Sequence, residues 1–268
     1  YLLWSSRIMP IQENHILRTN PEWIDQNTNK KINILNEMKK FNGGKNGIEG
    51  FYLSPNHPKV NSYLLNVFGD LIQNYDLDGL HLDYVRFHDS DYGQNPISLS
   101  SFNKQLGIIN TPSSNSLESS QWNDYRRKGV TDLVRETKNL IQSIKPEIIL
   151  TAAVKPNLYQ ARERFFQEWD VWLAAGYLDK AIVMNYTKDL KEFAANIDIM
   201  YDNLPSKYRK RIVMGIATYN QSPENVIDKI KYTRVTRFNS VSFFSYTVML
   251  KDPLYFNSVK NILYPRDY

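Results

Sequence analysis

The sequence predicts an α/β protein of the (β/α)8 barrel type, and three observations predict it. Short apolar runs alternate with amphipathic helical stripes, the signature of parallel α/β architecture. The last four runs start roughly 30 residues apart, close to the repeat of such a barrel. The polar excess falls just after the first two runs, near residues 10–57 and 88–121, where a barrel carries the long βα loops of its active face. The 268 residues suit one large α/β barrel or two ordinary domains, and the barrel is the reading that the other observations favour.

The β-type runs are Tyr1–Met9, Gly79–Phe87, Ile148–Val154, Ala181–Tyr186, Ile212–Tyr219 and Val241–Tyr246. Most are near-continuous apolar runs, as in strands buried on both faces. Gly50–Ser54 is a further short β-type stretch. The helices follow from a 3.6-residue period. Val60, Leu64, Val67, Phe68, Leu71, Ile72 and Tyr75 share one stripe after Pro58, which suits a first helical turn. Val130, Leu133, Val134, Thr137, Leu140, Ile141 and Ile144 make a second within 124–145, stopped by Pro146. Phe193, Ile197, Met200, Tyr201 and Leu204 make a third, and Ser222-Pro223-Glu224 opens a fourth helix as an N-cap with proline behind it.

Composition removes several function classes. The chain is 42% apolar and 23% charged, an ordinary globular balance. No apolar run reaches the ~18 residues of a membrane span. With no Cys there is no disulfide framework, zinc finger or thiol nucleophile. Thirty-three Lys+Arg face 28 Asp+Glu for a net charge of +5. The basic clusters Arg126-Arg127-Lys128 and Lys207–Arg211 adjoin predicted elements, so no nucleic-acid partner is expected. No Gly-rich phosphate loop follows a strand, and no cofactor is expected. The chain opens at Tyr1 without an initiator Met, so it reads as trimmed, with any targeting peptide out of view.

The chemistry is densest in Asp78-Gly79-Leu80-His81-Leu82-Asp83-Tyr84-Val85-Arg86-Phe87. Strand alternation puts Gly79, His81 and Asp83 on one face and the leucines on the other. An acid at the carboxyl end of a barrel strand is poorly placed for stability and well placed for catalysis. Asp78, at the amino end, is expected to act through folding.

This decapeptide resembles the fourth-strand signature of the glycosyl-hydrolase-like family 10 barrels, which are distinct from the family 10 xylanases. Other landmarks follow in the family's order. They are Asn20-Pro21-Glu22-Trp23, the Tyr52–Val60 segment, Trp122 with Tyr125-Arg126-Arg127, Thr151–Val154, Gln167-Glu168-Trp169, Trp172–Asp179, Val183–Tyr186 and Met214–Tyr219. The resemblance makes Tyr1–Pro10 the third strand, with two strands expected upstream. It departs from the family at Tyr84, where many members carry a second Asp, and at Met184-Asn185-Tyr186, where Pro-x-x-Tyr is common.

The resemblance implies a glycosidase acting on a bacterial, host or dietary polysaccharide, peptidoglycan strands among them, in a secreted, periplasmic or cell-surface setting. Such hydrolysis uses two carboxyl groups. Asp83 is the expected nucleophile. The second acid is less legible, because Lys155 stands where strand five would supply a Glu. Glu168 ranks first, ahead of Asp189, Glu13 and Glu22. Expected substrate contacts are His81, Tyr84, Arg86, Trp4, Trp23, Lys155, Asn185, Tyr186 and Tyr219, with Tyr159 and Tyr246 as further aromatics on the same face. Trp169 and Trp172 read as packing. The rival classes are a non-catalytic carbohydrate-binding barrel and a metal-dependent hydrolase using His81, Asp83 and His88.

Overall fold

The computed structural model describes residues 2–5, 14–28, 50–107 and 116–264, the side chains of 2–5 and 116–118 excepted. The chain divides into two compact units, residues 1–78, 83–148 and 162–168 in one and residues 79–82, 149–161 and 169–268 in the other.

The first unit contains strands β1 (Leu2–Ser5) and β2 (Gly50–Tyr52), which pair antiparallel with Trp4 opposite Phe51. This corrects the expectation that the opening segment joins the parallel sheet as its third strand. What is described of 10–57 is also not plain loop. It holds α1 (Ile16–Thr19) and a 3-10 turn (Pro21–Trp23). Helix α2 (Val60–Asn74) follows the predicted stripe and buries Val60, Gly69 and Ile72. The stretch 88–121 contains α3 (Pro96–Leu106) and the start of α4 (Ser116–Ile144). Asn95 caps α3, accepting from the N–H groups of Ile97 and Ser98, while its amide donates to the carbonyls of Glu22 and Ile24 at 2.7 and 2.8 Å. Helix α4 starts earlier than its predicted stripe. Trp122 is buried against Phe102, ring to ring at 5.0 Å, a tertiary contact that helical periodicity does not carry.

The second unit is built on a five-stranded parallel sheet in chain order, β3 (Gly79–Leu82), β4 (Ile149–Val154), β5 (Lys180–Met184), β6 (Ile212–Ala217) and β7 (Ser240–Phe244). These are the last five predicted runs, and the register aligns Gly79 with Ile149, Val154 with Val183, Met184 with Gly215 and Ala217 with Phe244. Strand β3 stops sooner than the apolar run that predicts it. Gly215 lets β5 and β6 close, since a Cβ there would collide with the Val183 carbonyl and meet the Tyr186 ring at 3.1 Å. The helices are α5 (Leu158–Arg164), α6 (Trp169–Ala174), α7 (Leu190–Asn203), α8 (Pro223–Val235), α9 (Tyr246–Lys251) and α10 (Pro253–Leu263). Helices α7 and α8 open on Asp189 and Ser222, whose side chains accept from the N–H groups of Glu192 and Asn225.

Trp169 and Trp172 are fully buried, as packing residues should be. The Trp169 indole donates to the Lys155 carbonyl at 3.1 Å. Trp172→Ala is expected to destabilise the protein by about 3–5 kcal/mol, checked by urea unfolding. An effect below about 1 kcal/mol would mean that the site collapses around the smaller side chain.

Candidate functional site

Asp83 is the first residue beyond the carboxyl end of β3 and is exposed. Its Oδ1 accepts the Tyr84 N–H at 2.7 Å. Tyr84 sits at φ 54°, a left-handed backbone that costs a bulky side chain energy and clusters at functional sites. That turn ends β3 and presents the carboxylate. Arg86 secures it from below. Its buried guanidinium lies 4.8 Å from the Tyr84 ring and 5.5 Å from that of Phe165, and donates to the Phe87 carbonyl at 3.1 Å. The Tyr84 ring also lies 6.4 Å from Tyr52, which stacks on His88 at 4.5 Å, with Tyr92 edge-on to both. The turn at Tyr84 therefore stands on a packed aromatic footing.

The loop that follows is cinched from two sides. Arg164 grips Asp89 with two hydrogen bonds at 2.8 and 2.6 Å, and this pairing holds the Asp89 carboxyl down at about 2. Arg126 donates to the carbonyls of Ser90 and Tyr92 at 2.8 and 2.7 Å and to Asn123, with its guanidinium 3.7 Å from the Phe166 ring. Burial brings Arg126 down to about 10.

Asp25 is a chemically unusual carboxyl in this unit that the sequence reading passed over. It is 3% exposed, and its Oδ1 has no hydrogen-bond partner among the described residues. Burial pushes it up to about 7, although backbone N–H groups of Gln26 and Gly93 and the charge of Arg126 pull the other way. The available signal was an acid directly after Trp23-Ile24, a pair too apolar to leave its neighbour in water.

Glu168 is held rather than free. Its Oε1 accepts from Arg162 at 2.9 Å and lies 3.8 Å from Arg127 Nε, and its Oε2 accepts from the Thr131 hydroxyl at 3.3 Å. Of the other acids considered, Asp189 is the cap of α7, Glu22 is exposed beside the Pro21–Trp23 turn, and Glu13 lies outside the described residues.

The remaining expected contacts separate into two kinds. His81 is exposed on β3 with its Nδ1 2.8 Å from the Thr151 hydroxyl. Tyr186 is half-buried and stacks on Phe244 at 5.6 Å, and Tyr219 meets the same ring edge-on at 6.1 Å. Phe244 is 55% exposed, so these residues beyond β5 and β6 and at the end of β7 form a platform on which a sugar ring can stack. The sequence reading missed Phe244, whose signal was a second aromatic ending an apolar strand. Lys155 is half-buried just past β4.

Asn185 and Trp23, two further expected contacts, are tied into the framework. Asn185 is 1% exposed, donates to the Phe193 carbonyl at 3.0 Å and accepts from Asn196 at 3.0 Å, tying the end of β5 to α7. Trp23 is buried against His57 and Tyr63. The side chain of Trp4 lies outside the described residues. Among the described residues no group of three or more His, Cys, Asp or Glu side chains converges to hold a metal ion.

A family model described as "Glycosyl hydrolase-like 10" matches residues 5–233. The chain belongs to the glycosyl hydrolase-like 10 family. The match spans Asp83, Glu168 and four of the five parallel strands, and ends before β7. The fold of this glycosyl hydrolase-like 10 chain is similar to that of the PgaB (BpsB) glycoside hydrolase domain from Bordetella bronchiseptica, with a TM-score of 0.70 and 13% sequence identity over 93% of this chain and 72% of the other. No curated protein matches it. No helix among the described residues is long and apolar enough to cross a membrane.

Proposed function

We propose that this chain is a glycoside hydrolase that cleaves O-glycosidic bonds of a polysaccharide, with Asp83 as its nucleophile. The observation that carries the proposal is the placement of Asp83, an exposed carboxylate just past a parallel strand's carboxyl end, presented by a left-handed Tyr84 within the segment that the family model covers. In a (β/α)8 barrel that end of the strands carries the chemistry. Five parallel strands paired in chain order support reading the whole chain as one such barrel domain.

In the reaction, an Asp83 oxygen attacks the anomeric carbon as the bond to the leaving oxygen breaks, and a second carboxyl group delivers a proton to that oxygen. Water then displaces Asp83 from the sugar, giving up a proton to the second carboxylate and so restoring it as an acid. We assign the second role to Glu168, because Arg162 and Thr131 hold it in one orientation. In the first unit Tyr84 and Arg86 orient the Asp83 turn; in the second, His81 and Lys155 offer hydrogen-bonding groups, and Tyr186 and Tyr219 with Phe244 offer rings on which a sugar stacks.

The same clasp on Glu168 favours a second reading, a barrel that binds carbohydrate without turning it over. Incubation with peptidoglycan strands and diverse polysaccharides, followed by mass spectrometry of released sugars, separates the two. Released product supports hydrolysis. Retained binding without product favours the binding barrel. Glu168→Gln that loses activity at an unchanged melting temperature supports the acid/base role, whereas a fall in melting temperature assigns the residue to the framework. Absence of Cys and the family suit a secreted, periplasmic or cell-surface setting and a bacterial, host or dietary glycan.

A further inference from the structure

Beside the loop that follows β2, the first unit has a cleft of about 230 Å³ walled by Asn56, His57, Asn61, Tyr125, Lys128 and Asp132, among others. It is smaller than the ~300–1,000 Å³ of sites for drug-sized ligands, and Asp83 is not part of its wall. We propose that this cleft is a second carbohydrate site, taking a single pyranose unit through its hydroxyl groups.

Asn56 Oδ1, His57 Nε2 and Asn61 Oδ1 are buried and have no partner among the described residues, a costly condition that folded proteins rarely leave unrelieved. Their orientations follow from the bonds they do make. The Asn56 amide donates to the Tyr125 carbonyl at 2.6 Å and the Asn61 amide to the Gly129 carbonyl at 3.1 Å, so each amide nitrogen is engaged and each oxygen is left over as an acceptor. His57 Nδ1 accepts the Lys59 N–H at 3.2 Å, which places the ring proton on Nε2 as a donor. Burial lowers the His57 pKa and keeps the ring neutral. His57 is 3% exposed and leans on Trp23, whose indole N–H is likewise unpaired among the described residues.

The wall thus offers two acceptors beside one neutral donor, with the Lys128–Asp132 ion pair also lining the cleft. Each hydroxyl of a sugar both donates and accepts, so a run of them meets this mixture. An anion is repelled by the two amide oxygens, and a metal cation is repelled by the proton on His57 Nε2. The three unpaired atoms are buried, so a sugar reaches the two oxygens only as Asn56 and Asn61 turn and give up their bonds to the Tyr125 and Gly129 carbonyls. Gly129 guards the geometry, since a methyl group there would collide with the Asn56 amide.

The choice of a sugar rests on the glycosidase reading, whereas the donor and acceptor pattern stands apart from it. Saturation-transfer NMR on the full chain with glucose, galactose and N-acetylglucosamine is the test. At least one sugar is expected to bind, at least tenfold more weakly to Gly129→Ala and to Asn61→Ala and equally well to Asp83→Asn. Alanine is the better helix former but its methyl group must displace the Asn56 amide, so circular dichroism and melting temperature check that both variants keep the fold. No binding by any of the three sugars overturns the proposal. Binding that survives in both cleft variants, or that only Asp83→Asn abolishes, overturns it as well. Cleft-dependent binding in a protein that releases no sugar upholds this site and removes the glycosidase reading, so the two fail separately.

Discussion

Asp83→Asn is expected to lower polysaccharide hydrolysis by at least ~10³-fold without moving the melting temperature. The two halves of that result have separate causes. Asparagine is nearly the same size and keeps an oxygen to accept the Tyr84 N–H, the contact that the Asp83 carboxylate makes at 2.7 Å. Asp83 is exposed, so its charge contributes little to stability through burial. What the amide cannot do is attack an anomeric carbon and leave it again as a carboxylate. The measurement is product release under saturating glycan, with thermal melts of both proteins alongside. Residual activity above about a tenth of wild type would remove Asp83 from the nucleophile role. Loss of activity together with loss of stability would move the explanation to the left-handed turn at Tyr84.

Asp25→Asn is expected to stabilise the protein at neutral and higher pH and to do nothing at pH 4. In the folded chain this carboxyl sits at about 7 rather than 3.8, because burial disfavours its charged form. A carboxyl raised in the fold contributes stability that is complete below its unfolded value, declines between about pH 4 and 7, and is lost above 7. The full span is about 4 kcal/mol. Asparagine retains an oxygen for the N–H groups of Gln26 and Gly93 and has no charge to desolvate. The stability difference between variant and wild type should therefore open up from near zero at pH 4 to several kcal/mol by pH 8, read by urea unfolding across that range. A difference independent of pH would show that the fold does not raise this carboxyl, and a variant less stable at pH 8 would show that attraction to neighbouring positive charge outweighs burial.

Both residues show where reading a sequence stops. Asp83 is legible because a strand's alternation is local and a lone acid at its end breaks an otherwise apolar pattern. Asp25 is not legible, since its raised carboxyl comes from burial that only the fold imposes, with Gly93 and Arg126, some seventy and a hundred positions away, pulling against it. Glu168 shows the same limit, because its place in the chain suggested an available acid and only the fold supplied Arg127, Thr131 and Arg162 around it. Asn185 stands in a family landmark, yet its amide is used up by Phe193 and Asn196. The early end of β3 belongs here too. Apolar Val85 and Phe87 continue the run in the sequence, while the turn at Tyr84 is held by Arg86 across an aromatic ring.

The sequence by itself determined the parallel sheet, the main helical stripes, the family and the position of Asp83. Each of these is encoded by the period of apolar residues or by a contiguous motif, and both are short-range properties of the chain. Tertiary structure alone decided which polar groups are spent on the framework and which remain available. A hydrogen bond or an ion pair is satisfied by whatever the fold brings within about 3 Å, and the partners come from distant segments. The antiparallel pairing of β1 with β2, the clasp on Glu168, the raised carboxyl of Asp25 and the unpaired wall of the Asn56–Asn61 cleft all arise in that way.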